Sequence, residues 1–179
     1  RAPRLFAIEL DDDLAATLAA RFADRTAVTV VHESVLDWDP APALEGGRVV
    51  HVAGNIPYNI TSPILFRLLA WRPAPARIVL MIQKEVADRL LAPAGDREYG
   101  ALTVGVRAVA EVRRLFNVGR GAFRPAPNVD STVVRIDPGA ALEPAERIRQ
   151  RCARYRGIGA WTSDAGDHPA RPAAKGAGG

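Results

Sequence analysis

Six consecutive residues, Gly54-Asn55-Ile56-Pro57-Tyr58-Asn59, put a side-chain amide, a backbone carbonyl before a phenol ring, and the ring itself into one short stretch. That combination suits a particular chemistry. The exocyclic amine of an adenine is a poor nucleophile because its lone pair is delocalised into the ring. Two carbonyls, from the Asn55 side chain and the Pro57 backbone, can accept its two N–H hydrogens. They would bias the nitrogen toward a tetrahedral state with its lone pair aimed at an electrophile. This is electrostatic preorganisation and not strong-base catalysis. The Tyr58 ring offers a stacking face to a base that has left its helix. Asn and Pro are also common turn formers, so the stretch alone leaves a plain turn open as the other reading. His32, His51 and His168 share no metal-ligand spacing and Cys152 is the single cysteine, so no metal is expected.

Chemistry of this kind needs a rigid platform, and the flanking residues supply one. The stretch RVVHVA over residues 48–53 reads as a strand that ends just before the motif, and in a doubly wound sheet ligands bind outside the carboxyl ends of strands. Further strands are expected over residues 4–10, 26–31 (β-branched TAVTVV), 77–82, 111–116 and 132–136. Asp11, Asp12 and Asp13 supply the cap and first-turn acids for a helix with Leu14, Leu18 and Phe22 at four-residue spacing. Residues 61–71 predict a helix with Pro63 in its first turn, where a missing N–H costs nothing. More helix is expected over residues 84–91 and 99–110. Alternating strand and helix imply an α/β fold with a parallel-type sheet and helices on both faces.

Composition agrees. The 179 residues are 48% hydrophobic and 25% charged, enough for one domain with a buried core. No apolar run is long enough to span a bilayer. One cysteine excludes an intramolecular disulfide and fits a reducing compartment such as the cytoplasm. The net charge of +4 divides unevenly, at −5 over residues 1–47, +6 over 48–140 and +3 over 141–179. A basic middle beside an acidic start fits a polyanionic partner on one side, and an arginine-rich composition with solvated faces accounts for it equally well. The chain opens at Arg1 and its only methionine is Met81, so it reads as a fragment or a processed chain.

Five ordered stretches, LFAIELDDDLAATL, AGNIPYNITSPILF, MIQKEVADRL, YGALTV and GAFRPAPNVDSTVVRI, make residues 4–140 resemble the ribosomal-RNA adenine N6-dimethyltransferase family (the KsgA type). The resemblance implies a Rossmann-like, S-adenosylmethionine-dependent methyltransferase fold. It implies methyl transfer to N6 of two adjacent adenines, each methylated twice, in small-subunit rRNA during ribosome assembly. Resistance-type large-subunit rRNA methyltransferases share the Asn-Ile-Pro-Tyr loop and stand as one alternative. A non-catalytic rRNA-binding assembly factor is another.

Site residues follow from the resemblance, position by position. Asn55, Pro57, Tyr58 and Phe123 form the catalytic set, with Phe123 sandwiching the flipped adenine opposite Tyr58. Glu9 matches the acid that binds the ribose hydroxyls of S-adenosylmethionine, and a carboxylate can accept from both at once. Ser34 stands where the family carries an Asp for the cofactor adenine amine; it can accept a hydrogen bond but brings no charge. Val35 packs on the adenine ring, and Asn55 adjoins the cofactor. Lys84 and Arg124 are assigned to RNA phosphates, with a solvated face equally open to each, and Asp130 and Ser131 to tying the Phe123 loop to the last strand. The partner implied is small-subunit rRNA in a pre-30S particle, met by a monomer, with no metal and no membrane.

Two elements of that fold have no counterpart in this sequence. One is a strand with its glycine-rich loop, which would precede residue 4 and lie between the strand ending at Glu9 and the one ending at Ala53. The other is a C-terminal helical domain. Residues 1–140 are thus expected to form a partial catalytic domain and 141–156 a helical segment. Residues 157–179, with six glycines, six alanines and two prolines, are expected to be a disordered tail.

Overall fold

The computed structural model describes residues 4–139, which form six strands and five helices. β1 (Leu5–Glu9) pairs in parallel with β2 (Val28–His32), and α1 (Asp12–Arg21) joins them. The Asp11 carboxylate accepts the Leu14 N–H at 2.9 Å, which starts α1 where the aspartate run predicts it. After α2 (Ala41–Leu44) come β3 (His51–Asn55), α3 (Thr61–Leu69), β4 (Arg77–Gln83) and α4 (Lys84–Leu91). The chain continues through α5 (Ala101–Arg107), β5 (Ala110–Val118) and β6 (Ser131–Pro138). The expected helical segment over 141–156 and tail over 157–179 lie outside the described residues.

The second sheet has the order β3-β4-β6-β5. β3 and β4 run parallel, but β6 is antiparallel to both β4 and β5. The expectation of a parallel-type sheet is therefore corrected to a mixed one. The cause is the connection between β5 and β6, residues 119–130, which holds only a short 3₁₀ turn (Arg120–Ala122) and no crossover helix, so the chain returns antiparallel. β6 then fills the place between β4 and β5. Boundaries also move by a few residues. β3 runs through Asn55, which pairs with Met81, and β5 begins at Ala110, where helix was expected.

β4 alternates strictly, with Ile78, Leu80 and Ile82 fully buried. They pack with Val134 and Ile136 of β6 against Ile64, Leu65 and Leu68 of α3, Ala87 and Leu90 of α4, and Val106 of α5. This core holds the carboxyl end of β3 rigid. A Leu-to-Ala change within it costs about 2–5 kcal/mol. Phe6 of β1, Trp38 and Trp71 form an aromatic chain with centroid distances of 5.6 and 5.8 Å, which joins the β1–β2 pair to the main core.

No backbone ladder joins β1 to β3 among the described residues. Between them lies a cleft of about 940 Å³, lined by Phe6, Ile8 and Glu9 on one side and by Val50, Val52 and Asn55 on the other. This opening is where the resemblance puts a strand that would precede residue 4.

Candidate functional site

Glu9 ends β1 and is half-buried. Its Oε1 accepts the N–H groups of Leu10 and Asp11 at 2.8 and 3.0 Å, so one carboxylate oxygen shapes the turn into α1. The other oxygen has no partner among the described residues and remains available to a ligand. Asp11 takes the helix cap, so the two acids divide the work. At the end of β2, His32 Nε2 lies 3.0 Å from Asp12 Oδ1 and 3.2 Å from the Leu10 carbonyl, which ties β2 to the same turn. Ser34 follows; its Oγ accepts the Leu36 N–H at 3.2 Å and keeps its own proton to donate. Glu9, Ser34, Val35, Asn55 and Pro57 all line the one cleft.

Asn55 is the last residue of β3, exposed, with no hydrogen-bond partner for its amide among the described residues. Pro57 is exposed, and its carbonyl accepts only long contacts, from the Ile60 N–H at 3.3 Å and the Thr61 hydroxyl at 3.5 Å. The Thr61 hydroxyl has a single proton, and the Tyr58 carbonyl at 3.2 Å is its nearer acceptor, which leaves a Pro57 lone pair for another donor. Tyr58 opens a 3₁₀ turn (Tyr58–Ile60). The buried Thr61 donates to the Tyr58 carbonyl at 3.2 Å, which locks that turn onto α3. The Tyr58 ring is half-buried and its hydroxyl lies 2.6 Å from Ser131 Oγ.

Phe123 is half-buried, just beyond the 3₁₀ turn Arg120–Ala122, and its N–H donates to the Arg120 carbonyl at 3.3 Å. Neither Tyr58 nor Phe123 lines the cleft; Tyr58 meets Ser131 at the start of β6, and Asp130 just before it binds Arg120 of the turn that precedes Phe123. Arg124 is exposed and forms no ion pair among the described residues. Lys84 differs. Its ammonium is 2.7 Å from Asp88 Oδ2, and Arg114 binds the other oxygen of the same carboxylate. The hydrogen bond from Lys84, which outweighs the opposing effect of burial, holds Asp88 below the usual carboxylate range, with Arg114 adding to it. The sequence, which gives Lys84 to RNA phosphates or to a solvated face, does not reveal this triad, because its third member, Arg114, comes from β5. No group of three or more His, Cys, Asp or Glu among the described residues could hold a metal ion, and no helix there is long and apolar enough to cross a membrane.

A family model described as ribosomal RNA adenine dimethylase matches residues 1–150. The chain is similar to ribosomal RNA small subunit methyltransferase A of Acidobacterium capsulatum, at 47% identity over 135 residues, 75% of this chain and 48% of that protein. The Pseudomonas aeruginosa protein of the same name is 42% identical over 146 residues, 82% of this chain and 54% of its own. Among solved structures, a dimethyladenosine transferase from Plasmodium falciparum superposes with a TM-score of 0.66 at 31% identity, over 75% of this chain and 48% of that one. The 23S rRNA methyltransferase ErmE does so with 0.66 at 26%, over 88% and 64%. The chain spans about half the length of the curated relatives it matches.

Proposed function

This chain belongs to the ribosomal RNA adenine dimethylase family, and we propose that it forms the cofactor-binding and base-binding part of an enzyme that dimethylates N6 of two adjacent adenines in small-subunit rRNA. S-adenosylmethionine, when bound, supplies a methyl group on a sulfonium. The rim of the cleft at the carboxyl ends of the strands suits a nucleoside of that kind, since it sets a half-buried carboxylate and a hydroxyl beside Val35. The free oxygen of Glu9 would take the ribose hydroxyls, Ser34 the adenine edge, and Val35 the ring face.

The observation that carries this reading is the unpartnered Asn55 amide at the end of β3, on the rim of the cleft that Glu9 and Ser34 line. Asn55 and Pro57 hold the adenine amine through its two hydrogens, Tyr58 and Phe123 hold the ring, and the proton released on methylation passes to solvent. Arg124 meets a phosphate, and Lys84 does so only from within its ion pair. The partner is small-subunit rRNA in its precursor particle, bound by a monomer in the cytoplasm.

A large-subunit target is the second reading, favoured by the match to ErmE. The test is transfer of radiolabelled methyl groups to small- and large-subunit rRNA. The protein used is this chain extended at both ends with the flanking segments of the Pseudomonas aeruginosa relative. N6,N6-dimethyladenosine at two neighbouring positions of the small-subunit RNA is expected. Label in the large-subunit RNA instead supports the second reading, and binding without transfer in either RNA leaves an assembly factor.

A further inference from the structure

Residues 130 and 131 touch the segment that carries Tyr58, the turn that precedes Phe123 and the start of α4. The Ser131 side chain, fully buried at the head of β6, meets the Tyr58 hydroxyl at 2.6 Å across 73 residues of sequence. The Asp130 carboxylate accepts the Arg120 N–H at 3.0 Å, at the start of the turn that delivers Phe123. The Asp130 carbonyl accepts the Lys84 N–H at 2.9 Å, at the start of α4. Ser131 is itself locked by sheet register, opposite Gln83 on one side and Val118 on the other. A short hydroxyl–hydroxyl bond to so rigid a residue removes the swivel that a tyrosine on a one-turn 3₁₀ element otherwise keeps.

We propose that Asp130 and Ser131 are positioning residues that set the spacing of the two aromatic rings, Ser131 through the Tyr58 hydroxyl and Asp130 through the turn before Phe123. This rests on the reading of Tyr58 and Phe123 as the walls of a base clamp. It also assigns the Tyr58 hydroxyl to anchoring, with the ring alone meeting the base. A clamp held at a fixed gap catches a planar base without first paying to order its own walls, which is how preorganisation raises the rate.

The test uses the extended protein labelled with 3-fluorotyrosine, in which the Tyr58 resonance is the one lost in Tyr58→Phe. Ser131→Ala is expected to shift and narrow that resonance as the ring gains freedom, while Tyr99 stays unchanged and Ser131→Thr, which keeps a hydroxyl, restores it. In methyl transfer, Ser131→Ala should lower kcat about 10-fold with KM for RNA within twofold. Tyr58→Phe should do the same, and the double variant should lose no more than either single one. A Tyr58 resonance indifferent to Ser131→Ala, or losses that multiply in the double variant, overturns the proposal. The resonance is read without RNA or cofactor. A wild-type protein with no methyl transfer therefore refutes the proposed function, while the spectrum still decides the positioning.

Discussion

The open edge between β1 and β3 can be tested by filling it. Each strand is five residues long, and each has one edge paired, to β2 and to β4 respectively. A strand laid between them would add about five backbone hydrogen bonds per edge. At a net ~0.5–1.5 kcal/mol per bond, because the edges are now solvated in the cleft, the gain is roughly 5–15 kcal/mol. That equals the whole stability of an ordinary domain, about 5–15 kcal/mol. The comparison decides the expectation. Residues 1–179 alone should aggregate, give no cooperative melt and bind S-adenosylmethionine too weakly to measure. The same chain extended at its N-terminus with the relative's preceding segment should melt cooperatively. It should also gain about 2.7 kcal/mol when the cofactor is present at 100 times its Kd. Differential scanning calorimetry with and without cofactor, together with titration calorimetry, reads both effects. A cooperative melt of the unextended chain that rises with added cofactor would refute the reasoning, because the unpaired edges would then be shown to cost little.

Three further outcomes are expected of the extended protein. Asn55→Ala should remove an acceptor used in the transition state and cost about 3 kcal/mol, or ~100-fold in kcat. RNA affinity should barely move, since phosphate contacts dominate it; filter binding beside radiolabel transfer checks both, and near-normal turnover removes Asn55 from the chemistry. Phe123→Leu should weaken stacking by about 1–3 kcal/mol while Phe123→Tyr stays mild, and equal behaviour of the two in rRNA methylation would make Phe123 a packing residue. For Asp137, burial pushes the carboxyl up, but hydrogen bonds from Arg77 and Arg135, at 3.0 and 2.7 Å, outweigh it and leave it below its ordinary value. Its ionised form therefore favours folding, fully above about pH 4, and that contribution fades as pH falls through the lowered folded-state value. The drop in urea midpoint between pH 7 and pH 3 should then be smaller in Asp137→Asn than in the wild type, and equal drops would show that the Arg77 and Arg135 bonds contribute no acid-side stability.

Much of this protein was legible where the controlling residues are close in sequence. The aspartate run starts α1 because a cap needs only the next turn of backbone. The alternation of Ile78, Leu80 and Ile82 reveals the core face of β4 because side chains reverse with every residue. The Asn-Ile-Pro-Tyr stretch was read as following a strand, and it does, with Asn55 taken into the strand itself. Sheet order was another matter. β6 entering antiparallel between β4 and β5 depends on which edges are free once β5 has formed, and no local pattern encodes that. Nor could spacing reveal that Ser131 meets Tyr58 or that Asp88 holds both Lys84 and Arg114. Strand period and helix caps arise from neighbours a few residues apart, so most elements and the motif they carry can be read along the chain. Contacts between side chains far apart in the chain exist only after the sheet has brought them together, so tertiary structure alone decided which polar groups are already occupied and which remain open to a ligand.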